Sequence, residues 1–289
     1  MAAFGKTNLE LKNLSEKETF SGKSFMIYND SATRKTRTLG TLPGRTIHCS
    51  LDNGAESAMR AAELLEIEGA THHEVKINNL ADLDAVITTL QTSKAYIGGF
   101  DTVVFDNLVE ITQLLKDRIV TSSRYKADQL KLEDIMDPEA RLSAQSSKTM
   151  ALYNDIQIQT RALLSKMLSL TAYYNVIVLT NYIEIETGKA IDPGLYPQIN
   201  GPKSIRPAIG LFDEVYSTDF VDGEFDSKDK INTKFKISSF TSTSTGKRWF
   251  NKTRYITELE YLLANEIPAD FRIIYKQTGY VLKQDRNNK

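Results

Sequence analysis

The chain is poor in the residues that would commit it to the simplest classes. It has one cysteine, Cys49, among 289 residues, so no disulfide framework can form within it and a reducing, intracellular setting is the expectation. Its three histidines, His48, His72 and His73, lack the spacing of a metal centre with that lone cysteine, and structural roles are expected of them. No stretch approaches the roughly eighteen uninterrupted apolar residues of a membrane span. Lys6, Glu10 and Lys12 precede any long apolar run, which argues against a secretory leader.

Glycine is missing at one telling place. A phosphate-binding loop reads G-x-x-x-x-G-K-[ST] after a strand. Here the apolar run Ser24–Tyr28 leads into Asn29-Asp30-Ser31-Ala32-Thr33-Arg34-Lys35-Thr36, with Asn29 and Arg34 at both glycine positions. Lys35 and Thr36 keep the chemistry of the motif, a cation for phosphate and a hydroxyl for Mg²⁺. The glycines would let successive backbone N–H groups curl around phosphate with no Cβ in the way. If Arg34 must adopt positive φ, its side chain resists that conformation. The segment is built for nucleotide binding, with its loop weakened. Gly22-Lys23-Ser24 mimics the motif's tail but precedes the strand, and reads as coincidence.

What is present describes an ordinary globular protein, 41% apolar and 25% charged, with a net charge of −1. The charge is uneven. Residues 228–289 hold 13 Lys/Arg against 6 Asp/Glu, leaving the first 227 residues acidic. Such an end serves either as a polyanion-binding face or as a solvated surface.

Strand-length apolar runs alternate with helical patterns, which predicts an α/β fold with a mostly parallel sheet flanked by helices and a β-rich C-terminal continuation. Strands are expected at 24–28, 45–51, 73–77, 102–106, 174–179, 235–240 and 249–256. Helices are expected at 36–42, 55–68, 80–92 (capped by Asn78-Asn79), 108–118, 149–170 and 258–265. Residues 119–147 read as a polar insertion with Asp137-Pro138 as a breaker, and the Pro/Gly-rich stretch 192–207 as a long ordered loop or lid. The expected organisation is an N-terminal segment 1–22, a core 23–227 and a basic continuation 228–289.

In open parallel sheets ligands bind beyond the carboxyl ends of the strands. Those ends carry Lys35 and Thr36, Asp52, Asp106, and Thr180-Asn181. These supply the cation, hydroxyl, carboxylates and polar sensor that phosphoryl-transfer sites use. For polynucleotide contacts, the insertion offers Tyr125 among mixed charges, and Tyr216, Phe220 and Phe225 form a second aromatic set. Core packing explains the second set equally well.

The order of pieces resembles the RecA-like P-loop ATPases, in particular the phage-encoded, AAA-type branch linked to recombination and single-strand annealing. The pieces are Asn29 to Thr36, Leu42-Pro43-Gly44, Leu51-Asp52-Asn53-Gly54, Val103 to Asp106, Val178 to Asn181, Gly201-Pro202-Lys203, Leu211 to Glu214 and Asn251 to Arg254. The resemblance implies ATP and Mg²⁺ as cofactors, with Asn29, Ser31, Ala32, Thr33, Arg34, Lys35 and Thr36 around phosphate. Thr36 and Asp106 would hold Mg²⁺, Asp52 would orient the attacking water and Asn181 would sense the terminal phosphate. Lys252 and Arg254 match positions that reach a neighbouring subunit's nucleotide. Single-stranded DNA and a homo-oligomeric ring or filament follow as partners, with the host-cell cytoplasm as the setting. Asp52 is one methylene shorter than the glutamate usual at its position. The alternative reading keeps the fold as an assembly scaffold without nucleotide chemistry.

Overall fold

The computed structural model describes residues 22–30, 34–51, 54–122, 125, 137–186, 193–199, 202–219, 232–238, 247–280, 282 and 283, with residues 202–204 described by their backbone alone. The chain is α/β, with a large, mostly parallel sheet flanked by helices. Strands β1 (Ser24–Tyr28), β2 (Arg45–Ser50), β3 (Thr71–Lys76), β4 (Thr102–Asp106), β5 (Asn175–Thr180) and β8 (Glu214–Asp219) run parallel. Strands β9 (Lys234–Lys236) and β10 (Glu266–Pro268) close one edge antiparallel, giving the order β10-β9-β8-β1-β5-β4-β2-β3. A separate antiparallel hairpin joins β6 (Tyr182–Ile185) to β7 (Gly194–Pro197).

Burial follows the two-residue period of the strands. Met26 and Tyr28 of β1 join Val103, Phe105, Val176 and Val178 on one face. Helices α3 (Leu80–Thr92), α5 (Leu108–Thr121), α6 (Pro138–Leu168) and α7 (Pro202–Leu211) cover it, supplying among others Leu83, Ile87, Ile111, Leu115, Leu164, Met167 and Ile205. Phe25 and Ile27 join Val104, Ile177 and Leu179 on the other face. There the short helix α1 (Lys35–Thr38), α2 (Gly54–Leu64) and α9 (Phe271–Thr278) contribute the cover, through Ala58, Phe271, Ile274 and Tyr275, with Leu39 and Leu42 beside them. Helices α4 (Lys94–Gly99) and α8 (Leu259–Ala264) are short and bury no residue.

Local signals place several boundaries. The Asn79 side chain accepts from the N–H groups of Ala81 and Asp82 to start α3, and that of Asn107 accepts from Glu110 N–H to start α5. Other expectations are corrected. Asp137-Pro138 opens a helix rather than breaking one: Asp137 accepts from Glu139 N–H, and proline sits in the first turn, where its missing N–H costs no helical bond. Helix α6 therefore begins eleven residues before the expected start and runs for 31 residues. Its first half is exposed, so no apolar period announces it. The expected lid 192–207 contains β7 and the start of α7, with Pro202 as that helix's first residue. Residues 249–256 form isolated bridges at Trp249 and Lys252 instead of a strand. Strand β8 was not expected at all.

Candidate nucleotide site

Strand register builds the rim. Tyr28 pairs with Thr180, which sets Asn29 beside Asn181, and Ser50 pairs with Asp106. Strand β5 lies between β1 and β4, so the loop after β1 must lean over β5 to meet the carboxylate ending β4. It does so: Thr36 Oγ1 donates to Asp106 Oδ2 at 2.9 Å, and Lys35 Nζ lies 3.3 Å from Asn181 Oδ1. Four residues drawn from three separate stretches of sequence thus meet beyond the carboxyl ends of the strands.

Lys35 is 6% exposed, and its ammonium also donates to the main-chain carbonyls of Asn29, at 2.9 Å, and Asp30. Burial pulls its pKa down to about 8, against the opposing pull of Asp106 and Asp30. The lysine is therefore an ammonium at neutral pH, held inside the loop by oxygens where a phosphate would compete for it.

The loop has kept glycine's conformation without glycine. Arg34, preceding α1, sits at φ 59° and ψ 18°, in the left-handed region. The side chain of Asn29 turns inward: its Oδ1 accepts from Asp30 N–H at 2.7 Å and its Nδ2 donates to the carbonyl of Thr218. One backbone donor of the loop is thereby engaged by a side chain that glycine would not have. Ser31, Ala32, Thr33 and Asp52 lie outside the described residues.

The oxygens of Thr36 and Asp106 form the donor set a small hard cation accepts, and the buried Lys35 ammonium suits a phosphate. Among the described residues no group of three or more His, Cys, Asp or Glu is placed to hold a metal. A cation here would thus complete its shell with water and phosphate oxygens. A cavity of about 400 Å³ lies along α1 and α2, lined by Arg37, Glu56, Ser57, Arg60, Ala61 and Leu64, and none of the rim residues Lys35, Thr36, Asp106 and Asn181 lines it.

Lys252 and Arg254 are not on this rim. Arg254 Nη1 pairs with Asp213 Oδ1 at 3.2 Å, and Asp213 Oδ2 accepts from the backbone N–H and the hydroxyl of Ser24, the first residue of β1. Lys252 donates to the carbonyls of Gly210 and Phe212 at the end of α7. Both cations lie at the amino end of β1, the length of that strand away from Lys35, roughly 15 Å at strand rise.

The aromatic candidates divide similarly. Tyr216 is buried, stacked on Phe235 at 5.4 Å between ring centres, so it packs the core. Phe220 and Phe225, and the basic residues around Tyr125 at 124, 126 and 131, lie outside the described residues. Sequence reasoning overlooked a different cluster. Trp249, the only tryptophan, meets the rings of Tyr28 at 5.5 Å and Tyr182 at 5.9 Å. Those tyrosines adjoin Asn29 and Asn181, so the indole stands behind the rim. His48 and His72 contact each other, Nε2 to Nδ1 at 2.8 Å, beneath the sheet's opposite flank.

No protein-family model and no curated protein matches the chain. Among solved structures, it is similar to the crystal structure of the RadB recombinase, at 15% identity over 71% of this chain and 77% of that chain, with a TM-score of 0.37.

Proposed function

We propose that the protein is a RecA-like, P-loop-type nucleotide-binding protein of DNA recombination or single-strand annealing, of the phage-encoded kind, with ATP binding or hydrolysis weakened by its altered loop. The observation that carries the nucleotide reading is the meeting of Lys35, Thr36, Asp106 and Asn181 on one rim. Lys35 supplies the phosphate cation, Thr36 and Asp106 the Mg²⁺ oxygens, and Asn181 a polar contact for the terminal phosphate. Bound Mg²⁺ would neutralise phosphate charge. Asp52, one residue past Leu51, is proposed for the attacking water.

Lys252 and Arg254 serve this reading only across a subunit boundary, since a strand's length separates them from their own chain's Lys35. Single-stranded DNA as partner draws on the basic balance of residues 228–289.

Equilibrium titration with labelled ATP and Mg²⁺ tests it. Saturable binding abolished by Lys35→Ala supports the reading, and binding indifferent to that change defeats it. The second reading, a scaffold without nucleotide chemistry, is favoured by one specific feature: Lys35 is already satisfied by the Asn29 and Asp30 carbonyls. It predicts no saturable binding in the same titration.

A further inference from the structure

A threonine inside a helix can spend its hydroxyl on the carbonyl four residues back. In this chain Thr88, Thr89 and Thr92 of α3 do so, at 2.8, 2.8 and 2.9 Å, and so does Thr149 of α6, at 2.9 Å. Thr160, about three turns further along α6, does not. It is 1% exposed, and its Oγ1 has no hydrogen-bond partner. Buried hydroxyls are normally bonded, so this one is left for a group from outside the chain.

There is room for such a group. A cavity of about 180 Å³ lies between α6 and α7, and Thr160 lines it. Gln157, Thr160, Arg161 and Leu164 come from α6 at i, i+3, i+4 and i+7, which is one face of that helix, and buried Ile199 and Ala208 join them from the α7 side. The volume is close to the roughly 150 Å³ that takes a benzene-sized group. A water here would need two to four polar partners, whereas the buried part of the wall offers Thr160 beside Leu164, Ile199 and Ala208. The cavity thus suits an apolar body with one inner polar group. Arg161 is exposed, so it sits at the rim, and among the described lining residues it alone carries a charge.

We propose that the α6–α7 cavity is a binding site for a small aromatic hydroxy acid. Its ring packs on Leu164, Ile199 and Ala208, its hydroxyl at the inner end bonds Thr160 Oγ1, and its carboxylate at the outer end meets Arg161. Each part of the ligand answers a separate observation. The ring follows from the volume and the apolar wall, the hydroxyl from the unpartnered oxygen, and the carboxylate from a guanidinium, whose planar fork matches it. The site shares no residue with the Lys35 rim. It stands whether or not nucleotide binds.

Calorimetric titration of the full chain with 4-hydroxybenzoate tests the assignment. Saturable binding is expected, with a dissociation constant on the order of a millimolar or tighter. Benzoate, which lacks the hydroxyl, should bind about fivefold more weakly, and 4-hydroxybenzamide, which lacks the charge, about threefold more weakly. Thr160→Val should erase the advantage of 4-hydroxybenzoate over benzoate while leaving benzoate binding unchanged. Arg161→Gln should erase the advantage over the amide and keep the one over benzoate. Such a split by ligand is not what a general loss of structure produces. Thr160→Val also removes an unpartnered buried oxygen, so its urea midpoint should be no lower than that of the parent chain. Absence of saturable 4-hydroxybenzoate binding, equal affinity for 4-hydroxybenzoate and benzoate, or a preference that survives Thr160→Val overturns the proposal.

Discussion

Thr36 Oγ1 donates to Asp106 Oδ2 at 2.9 Å although the two residues stand 70 positions apart. The bond ties the start of α1 to the end of β4 across the intervening β5. Asp106 is buried, so the hydroxyl is one of the groups that replace its water. Thr36→Val keeps the shape and removes the donor. It should cost about 1–3 kcal/mol in urea unfolding and abolish any Mg²⁺ dependence of nucleotide binding. An unchanged unfolding midpoint together with unchanged Mg²⁺ dependence would show that the pair is incidental.

Arg34 sits at φ 59°, where a side chain other than glycine is strained by about 1–3 kcal/mol. Arg34→Gly relieves that strain and opens the loop to phosphate, at a cost of about 0.5–1 kcal/mol in unfolded-chain entropy. The expected result is tighter nucleotide binding with stability unchanged or raised by up to about 2 kcal/mol. Arg34→Val, β-branched in the left-handed region, should lower stability instead. Calorimetry of binding and of unfolding on the two variants reads both effects, and identical behaviour of the two would refute the strain.

The lowered pKa of Lys35, about 8, gives nucleotide binding a pH dependence. Below that value the lysine is already charged and affinity is flat on its account. Above it, binding a phosphate requires the lysine to take up a proton, so affinity should fall by up to tenfold per pH unit. Titrations at pH 7, 8 and 9 check this. The slope should vanish in Lys35→Arg, whose charge persists throughout.

His48 and His72 predict acid sensitivity. Burial pulls His48 down to about 3 and His72 to about 4 from an ordinary 6.5, each also pushed down by a neighbouring histidine. The unfolded chain therefore binds more protons than the folded one between about pH 6.5 and 3, so this contribution is present above 6.5 and lost as pH falls through that window. Urea unfolding at pH 7.5 and 5 should show the decline, with a shallower slope in His48→Gln. Equal slopes in the two proteins would remove the histidine pair from the account.

Much of the sheet was legible because apolar runs are local. Ser24–Tyr28, Leu80–Thr92 and Thr102–Asp106 have the bounds their sequence pattern suggests. Strand β8 was not legible, because its polar letters are paired inside: buried Glu214 accepts from the Tyr216 hydroxyl and from the N–H groups of Arg254 and Tyr255. Proline misled twice, at Pro138 and Pro202, since a breaker within a helix is a favourable opener at its start. The rim could be read from strand ends alone. The separation of Lys252 and Arg254 from it could not, because it depends on the chain from Trp249 to Arg254 running back along β8 toward its amino end. Nor does sequence give a dihedral angle, so the left-handed conformation of Arg34 shows only in the backbone.

The central claim is that the Lys35–Thr36–Asp106–Asn181 rim takes a nucleotide's phosphates, and a crystal structure with a non-hydrolysable ATP analogue and Mg²⁺ tests it most directly. The account predicts phosphate density against Lys35 Nζ, released from the Asn29 and Asp30 carbonyls, with Mg²⁺ beside Thr36 and Asp106. Density for the analogue elsewhere, or none at saturating concentration with Lys35 still folded onto its own loop, would contradict it.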